Sequence, residues 1–296
     1  MPKKNLSSSG QTGPLSVGNV VSASLRIYRD HFKSYFGLAL VATLWSLVPI
    51  YGWAKYSAIL ALISRLAFGE VREKPETVSE ARREVNPRMW HFLWAGILTF
   101  LIYIGVYVAG TIAMLIGVIV AAIIAFVAVM IATAILGGAA TAVWQNYVIA
   151  ALMAVTVISF LIIFIIICIR IISRLLIVEL PLAMENNIGA RSAIGRSWEL
   201  TKGSVGRIQW IVFVGILVSL PITIVVQILS SIIESVLKAV LGAESGIFLL
   251  VYFLLILLLS FASGALVTPF WQAMKAIIYY DLRSRKEGLD LQIRDR

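Results

Sequence analysis

The chain has 296 residues, of which 60% are hydrophobic and only 14% are charged, and its formal net charge at pH 7 is +10. A soluble globular domain contains about 45–50% apolar residues, whereas the mean hydropathy here is +0.94. These values exclude an ordinary soluble domain and indicate a protein whose solvent is largely the lipid bilayer.

The N-terminal region begins with a polar stretch, residues 1–15, which is rich in Ser and Gly and is predicted to be disordered. From Ser16 to Tyr35, apolar residues recur at helical spacing on one face, and polar or charged residues occupy the other. This pattern predicts an amphipathic helix that lies flat on the membrane surface. It opens a single multi-pass membrane domain, predicted over residues 16–287, and a cytoplasmic tail follows at 288–296.

Long apolar segments then dominate the chain. A helix needs about 20 apolar residues to cross the hydrocarbon core, and these segments are too long for barrel strands of about 10 residues. Because backbone groups in lipid need partners within the segment, we predict an all-α polytopic transmembrane helical bundle with interfacial amphipathic helices. The six predicted spans lie at about 36–52, 53–68, 89–112, 148–172, 208–230 and 247–271.

Two hydrophilic stretches separate some of these spans. The insert at 69–88 carries charges of both signs, and Thr77 followed by Glu80 predicts a capping box that opens a short helix through Glu84. The connection at 173–207 contains a second predicted helix, capped by Asn187 and ended by Gly203.

The placement of cations predicts the topology. Lys and Arg concentrate in the N-terminal region, the insert, the 173–207 connection with its flanks and the tail, and Lys55 and Lys238 are the exceptions. The positive-inside rule makes these regions and both termini cytoplasmic, which requires an even number of crossings. Residues 113–136 are apolar enough to cross, but a crossing would place the connection outside. We therefore interpret them as a long, tilted or re-entrant continuation of the third span.

Residues that could carry catalysis or bind a metal are sparse. His31 and His91 do not have the spacing of a metal-binding pair, and the single cysteine, Cys168, lies within an apolar run. Phosphate-binding glycine loops and serine-nucleophile motifs are also absent from the sequence. We predict no cofactor, no metal and no enzymatic activity.

Cations next to apolar segments are the candidate contact residues. Arg170 and Arg174 are four residues apart on one helical face, where they could bind an anionic headgroup, pair with a nearby Glu, or simply anchor the helix at the interface. The cations flank spans rather than line a groove with aromatic platforms, so anionic lipid of the cytoplasmic leaflet is favoured over nucleic acid. The candidate lipid-headgroup or partner contacts are Arg170, Arg174, Arg191, Arg196 and Trp198.

Two further patterns concern assembly and symmetry. Runs of small residues, such as Ala262 to Ala265, would allow close helix approach, so a protein partner or a homo-oligomer remains open. The order of surface helix, span and proline in Ser16–Pro49 recurs in Ile188–Pro221. Duplicated halves are common among transporters, although a shared need for an interfacial helix before a span explains the recurrence equally well.

Three segments together resemble a known family. They are LSVGNVVSASLRIYR at 15–29, GARSAIGRSWELTKG at 189–203 and AIIYYDLRSRKEG at 276–288. Their order resembles the membrane domain of bacterial glycerophosphoryl diester phosphodiesterases, which also occurs without the catalytic domain. The apolar stretch from about Val108 to Gln145 departs from that pattern. The resemblance implies a bacterial multi-pass module, and the metal-dependent catalytic barrel has no room in this chain.

These observations lead to a functional expectation. The sequence favours a non-enzymatic module that organises or assists a membrane protein or lipid partner in a bacterial inner membrane, or in a thylakoid membrane if the source is photosynthetic. The alternative is a small-solute or lipid transporter, suggested by the recurrence and by spans that Pro49 and Pro221 would break. An enzyme is the third possibility.

Overall fold

The computed structural model describes residues 15–136, 138–242 and 245–288, including all their side chains except those of 136 and 138–146. Every regular element in these ranges is a helix, which confirms the predicted all-α class. Except for Leu15 and Gly288, the predicted N-terminal stretch and tail lie outside the described residues. The helices are α1 (Val17–Asp30), α2 (Phe32–Trp45), α3 (Tyr51–Val71), α4 (Val78–Val85), α5 (Met89–Leu136), α6 (Gly138–Leu175), α7 (Glu179–Met184), α8 (Ala190–Thr201), α9 (Val205–Leu241) and α10 (Gly246–Glu287).

Four helical stretches within the described ranges are long and apolar enough to cross a membrane. In their most apolar windows, between 0% and 11% of the residues are buried inside the protein, as expected where lipid covers a helix. These stretches are Val78–Ile135, Tyr147–Met184, Val205–Leu241 and Gly246–Glu287, which include most of α5 and α6 and all of α9 and α10. The apolar helix α2 is shorter, with 14 residues, so the six-span topology stays a prediction.

The chain divides into two compact units, and the first comprises Met1–Gly96 and Arg174–Arg296. Its central element is α10, which packs against α1, α2, α3 and α9. Met274, Ile277 and Tyr279 of α10 and Leu62 and Ile63 of α3 are at most 2% exposed. The core of this unit therefore forms around the C-terminal half of α10.

The second unit, Ile97–Ser173, contains most of α5 and α6. Gly110 and Gly117 of α5 face the rings of Phe164 and Phe160 of α6, and this order makes the two helices antiparallel. The 48 residues of α5 extend about 72 Å, far more than the ~30 Å of hydrocarbon. Residues 113–136 thus continue the third predicted span as one helix.

Capping hydrogen bonds and backbone dihedral angles explain which of the predicted helix starts are present in the structure. The capping box of Thr77 and Glu80 is present at the start of α4, as predicted. The predicted cap at Asn187 is wrong, because this residue has φ 58 and α8 begins only after Gly189. An N-cap needs extended backbone, which a positive φ does not supply.

The two prolines that were expected to break spans behave differently. Pro49 does lie in the break between α2 and α3, where Ile50 has φ 61. Pro221 lies inside α9, which continues from Val205 to Leu241, so the predicted break there is wrong. A proline removes one backbone donor, and membrane helices tolerate this because neighbouring groups re-satisfy the freed carbonyl.

The register of buried residues in α1 and α2 recurs in α8 and α9. The spacing between matched positions is constant at 173 residues, the difference between 193 and 20 and between 215 and 42. The matched buried positions are Val20 and Ala193, Ser24 and Ser197, Ile27 and Leu200, Tyr35 and Ile208, Leu38 and Ile211, and Ala42 and Gly215. The residue just before the second helix of each pair also matches, since His31 has φ −116 and ψ 25, and Ser204 has φ −120 and ψ 7. The recurrence noted in the sequence therefore extends to packing register and helix break.

Candidate functional site

The three segments that carry the family resemblance meet in the first unit. The backbone N–H of Leu15 donates to Asp281 of α10 at 3.0 Å. The guanidinium of Arg196 on α8 pairs with Glu287 at the end of α10, and Lys286 donates to the backbone carbonyl of Glu199. Polar contacts within the first unit thus join segments that lie far apart in the chain.

Two arginines hold the C-terminal end of α7. Arg65 of α3 donates to the carbonyl of Ala183 at 2.9 Å, and Arg88 donates to the carbonyl of Glu185 at 2.7 Å. Arg65 also forms a two-point ion pair with Glu76, at 2.7 and 3.1 Å. The last carbonyls of a helix lack partners within the helix and carry its negative dipole end, so both arginines stabilise α7.

A carboxylate cluster fixes the inner side of α8. Glu185 accepts hydrogen bonds from Arg196 at 3.2 Å and from the Tyr279 hydroxyl at 2.8 Å. Arg196 also lies 3.6 Å from Glu199 and pairs with Glu287. With three carboxylates around it, Arg196 has a structural role in attaching α8 to α10.

A buried polar chain joins α3, α7 and α10. The Ser64 hydroxyl lies 2.9 Å from Oε1 of Gln272 and 3.2 Å from Oε1 of Glu179, and Lys275 donates to the same Glu179 oxygen at 3.2 Å. A hydroxyl has one proton, so both of its contacts are satisfied if the Gln272 amide is turned to donate to Ser64. The chain fixes the crossing of three helices in the first unit.

The outer side of α8 has a different character. The guanidinium of Arg174, in the last turn of α6, lies 4.3 Å from the centre of the Trp198 ring, and Ser197 donates to the backbone carbonyl of Arg174 at 2.7 Å. Trp198 is 44% exposed. Among the described residues, Arg174 forms no ion pair with a carboxylate, and its guanidinium lies over an aromatic ring instead.

Other exposed residues extend this pair into a surface, which we call the α8 outer face. It consists of Arg191, Gly195 and Trp198 on α8, Lys202 directly after the helix, and Arg174. Arg191, Gly195 and Trp198 are spaced by four and three positions, which places them on one side of α8. A Cβ added at Gly195 would have no atom within 4 Å, so the middle of this face is open.

The predicted contact residues thus separate into three groups. Arg174 and Trp198 touch, and Arg191 lies on the same outer face. Arg196 lies in the carboxylate cluster instead, and Arg170 is exposed on α6 in the second unit. Sequence reasoning missed Lys202 as a member of the face, although its distance of four positions from Trp198 is a usable signal.

Among the described residues, no group of three or more His, Cys, Asp or Glu side chains is placed to hold a metal ion. His31 instead lies 3.4 Å from Glu70 and stacks on the ring of Tyr35. Cys168 is partly exposed on α6 and forms no disulfide.

Over the part of the chain that the structure describes, the protein is all-helical and has four helices that are long and apolar enough to cross a membrane. Comparison with protein-family models, with curated proteins and with solved structures finds no match to this chain.

Proposed function

We propose that this protein is a non-enzymatic membrane module that organises or assists a membrane protein or lipid partner, and that the α8 outer face is its docking surface. The observation that carries the proposal is the contact between the half-buried Arg174 guanidinium and the exposed ring of Trp198, because Arg174 forms no ion pair among the described residues while the neighbouring Arg196 is paired. Arg and Trp are the residue types that contribute most at docking surfaces.

The rigidity of α8 supports a docking role. Its inner side is attached through Arg196 and through the hydrogen bond from Ser197 to Arg174, so the outer side chains are presented from a fixed backbone. A preorganised surface loses less conformational entropy on binding.

The proposed setting is a bacterial inner membrane, or a thylakoid membrane in a photosynthetic source, with six spans and both termini cytoplasmic. This topology adds α2 and α3 as a short pair to the four long helices. With 21 residues, α3 extends about 32 Å, close to the hydrocarbon thickness, whereas the 14 residues of α2 need a thinned bilayer or flanking turns. The resemblance to the phosphodiesterase membrane domain agrees with a module that acts without its own catalytic barrel.

The test of the docking role uses native mass spectrometry of protein extracted gently from its own membranes. We expect a stoichiometric protein or lipid partner that is retained by the wild type and lost from Arg191→Ala and Trp198→Ala variants of unchanged expression and thermal stability. Lys74→Ala, which removes an exposed cation outside the face, is the matched control. Equal retention by all variants would contradict the proposal.

A small-solute or lipid transporter is the second candidate, and the shared burial register of α1–α2 and α8–α9 favours it, because many transporters contain repeats. This candidate requires a water-accessible cavity near mid-membrane. Single cysteines placed around Pro49 and Pro221 in a Cys168→Ser background would react with a membrane-impermeant maleimide if such a cavity exists. Unreactive positions throughout both regions would eliminate transport.

A further inference from the structure

The location of the α8 outer face indicates which partner it fits. Arg174 ends the apolar helix α6, and α8 is followed at once by the apolar helix α9. The first turns of α9 carry Trp210, 63% exposed and packed edge-on against Phe213. Tryptophan and arginine at the ends of apolar helices lie at the level of lipid headgroups. The face therefore lies where phosphates are the most abundant anions.

We infer that the α8 outer face binds the phosphate of an anionic phospholipid, with Arg174 as the principal contact and Arg191 and Lys202 as flanking cations. This inference rests on the proposed docking function and specifies its partner. The ring of Trp198 lies 4.3 Å from the carbon of the Arg174 guanidinium and helps to hold it in place. Among the described residues the guanidinium donates no hydrogen bond, so its N–H groups can donate to phosphate oxygens.

The charge distribution around the face agrees with an anionic ligand. Glu199 is the nearest acidic neighbour of Trp198 along α8, and it is directed to Arg196, at 3.6 Å. Glu185 and Glu287 are engaged with Arg196 on the inner side of the same helix. The outer face thus carries three cations, and among the described residues these three carboxylates pair with Arg196 and with none of the three.

Gly195 provides a direct test of this charge pattern. It lies four residues after Arg191 and three before Trp198, and a side chain there would meet no atom within 4 Å at its Cβ. Gly195→Glu therefore introduces a carboxylate into the centre of the face without disturbing packing. Gly195→Ala is the matched control, because it makes the same backbone change without a charge.

The experiment uses the purified full-length protein in detergent micelles that contain equal amounts of phosphatidylglycerol and phosphatidylcholine. Native mass spectrometry then gives the ratio of the two lipids retained by the folded protein. We expect the wild type, Gly195→Ala, Trp198→Phe and Lys74→Ala to prefer phosphatidylglycerol to the same extent. We expect Arg174→Ala and Gly195→Glu to lower that preference about fivefold, the effect of losing one cation near an anionic surface.

Each contrary outcome has a defined meaning. An unchanged preference in Gly195→Glu, or an equal loss in Lys74→Ala, would overturn the assignment of the face. Displacement of the bound phosphatidylglycerol by millimolar inorganic phosphate would show that the site takes a soluble anion and would overturn the lipid assignment. If lipid preference is absent but a protein partner still depends on Trp198, only the lipid assignment fails and the docking function stands. If the wild type shows no lipid preference and Trp198→Ala loses no partner, both fail.

Discussion

The guanidinium of Arg207, at the start of α9, pairs with the carboxylate of Asp281 near the end of α10. Asp281 is only 5% exposed and also accepts the backbone N–H of Leu15. Two nitrogens of Arg207, Nε and Nη1, are buried without a hydrogen-bond partner among the described residues. The pair thus joins α9, α10 and the start of α1 in a largely desolvated contact.

Replacing Asp281 with Asn should destabilise the protein strongly, because it leaves a buried guanidinium without its counter-charge. Removal of one member of a buried pair costs about 3 kcal/mol. Thermal unfolding in a single detergent measures the effect. The double variant Asp281→Asn with Arg207→Met should recover part of the loss, and a double variant less stable than either single one would refute the coupling.

The buried chain of Ser64, Gln272 and Glu179 predicts a second stability effect. Ser64→Ala removes the hydroxyl that lies between the side chains of Gln272 and Glu179. The expected cost in the free energy of unfolding is about 1–3 kcal/mol. Ser57→Ala on the same helix is the control, since the Ser57 hydroxyl bonds only the Trp53 carbonyl at an exposed position. Unfolding temperatures of the two variants should differ clearly, and equal values would argue against the buried chain.

Gly52 should tolerate no side chain. A Cβ at this position would overlap the backbone carbonyl of Trp45 and approach the Cβ of Val48 to 2.7 Å, because the chain turns back sharply between α2 and α3. We expect Gly52→Ala to cost about 2 kcal/mol through overpacking. Gly37→Ala in α2 meets open space and should gain about 0.5–1 kcal/mol from lower backbone entropy in the unfolded state. Thermal unfolding in detergent measures both effects. A Gly52→Ala variant more stable than Gly37→Ala would contradict this packing.

The antiparallel pair of α5 and α6 predicts a similar contrast. Gly117 faces the Phe160 ring, whereas Gly105 has nothing within 4 Å of a built Cβ. Gly117→Leu should separate the helices and speed amide hydrogen exchange around Phe160, while Gly105→Leu should leave that exchange unchanged. Identical exchange in both variants would show that Gly117 is not a packing position.

The start of α4 should respond to acid. The backbone and side-chain hydrogen bonds from Thr77 hold the pKa of Glu80 below its ordinary value, with a smaller contribution from Arg83. A carboxyl group with a lowered pKa in the folded state stabilises the fold above its unfolded pKa and loses that contribution as the pH falls. Amide exchange of α4 should therefore accelerate as the pH drops through the range in which Glu80 takes up its proton, after correction for intrinsic exchange rates.

Thr77→Ala provides the control for this pH effect. Without the Thr77 hydroxyl, the start of α4 should exchange faster at neutral pH and show a weaker additional change in acid. A variant with the same pH profile as the wild type would exclude the capping box as the cause.

Local sequence signals predicted the helices whose ends depend on nearby residues. Thr77 and Glu80 are three positions apart and satisfy each other's backbone groups, so the start of α4 could be read directly from the sequence. The limits of α8 could not, because Asn187 takes a left-handed conformation that depends on its surroundings. The predicted helix break at Pro221 was wrong for a related reason, since the packing around a membrane helix decides whether a proline breaks it.

For the α8 outer face, too, some features follow from the local sequence and others depend on the tertiary structure. Position next to apolar segments was enough to predict Arg174, Arg191 and Trp198 as candidate contact residues. It could not distinguish Arg196 from them, because the partners of Arg196 include Glu287, which is 91 positions away in the chain (287 minus 196). Which cation is neutralised and which remains free depends on contacts between distant segments.

By itself, the sequence determined that this protein is helical and bears long apolar helices, because hydropathy and helical spacing act over a single turn or a single span. Only the tertiary structure decided that α8 is attached through its inner side and that the Arg174 guanidinium lies over the exposed ring of Trp198. The physical reason is that burial and charge pairing depend on which segments meet in space, and in this chain the residues that decide the surface come from α6, α8 and α10.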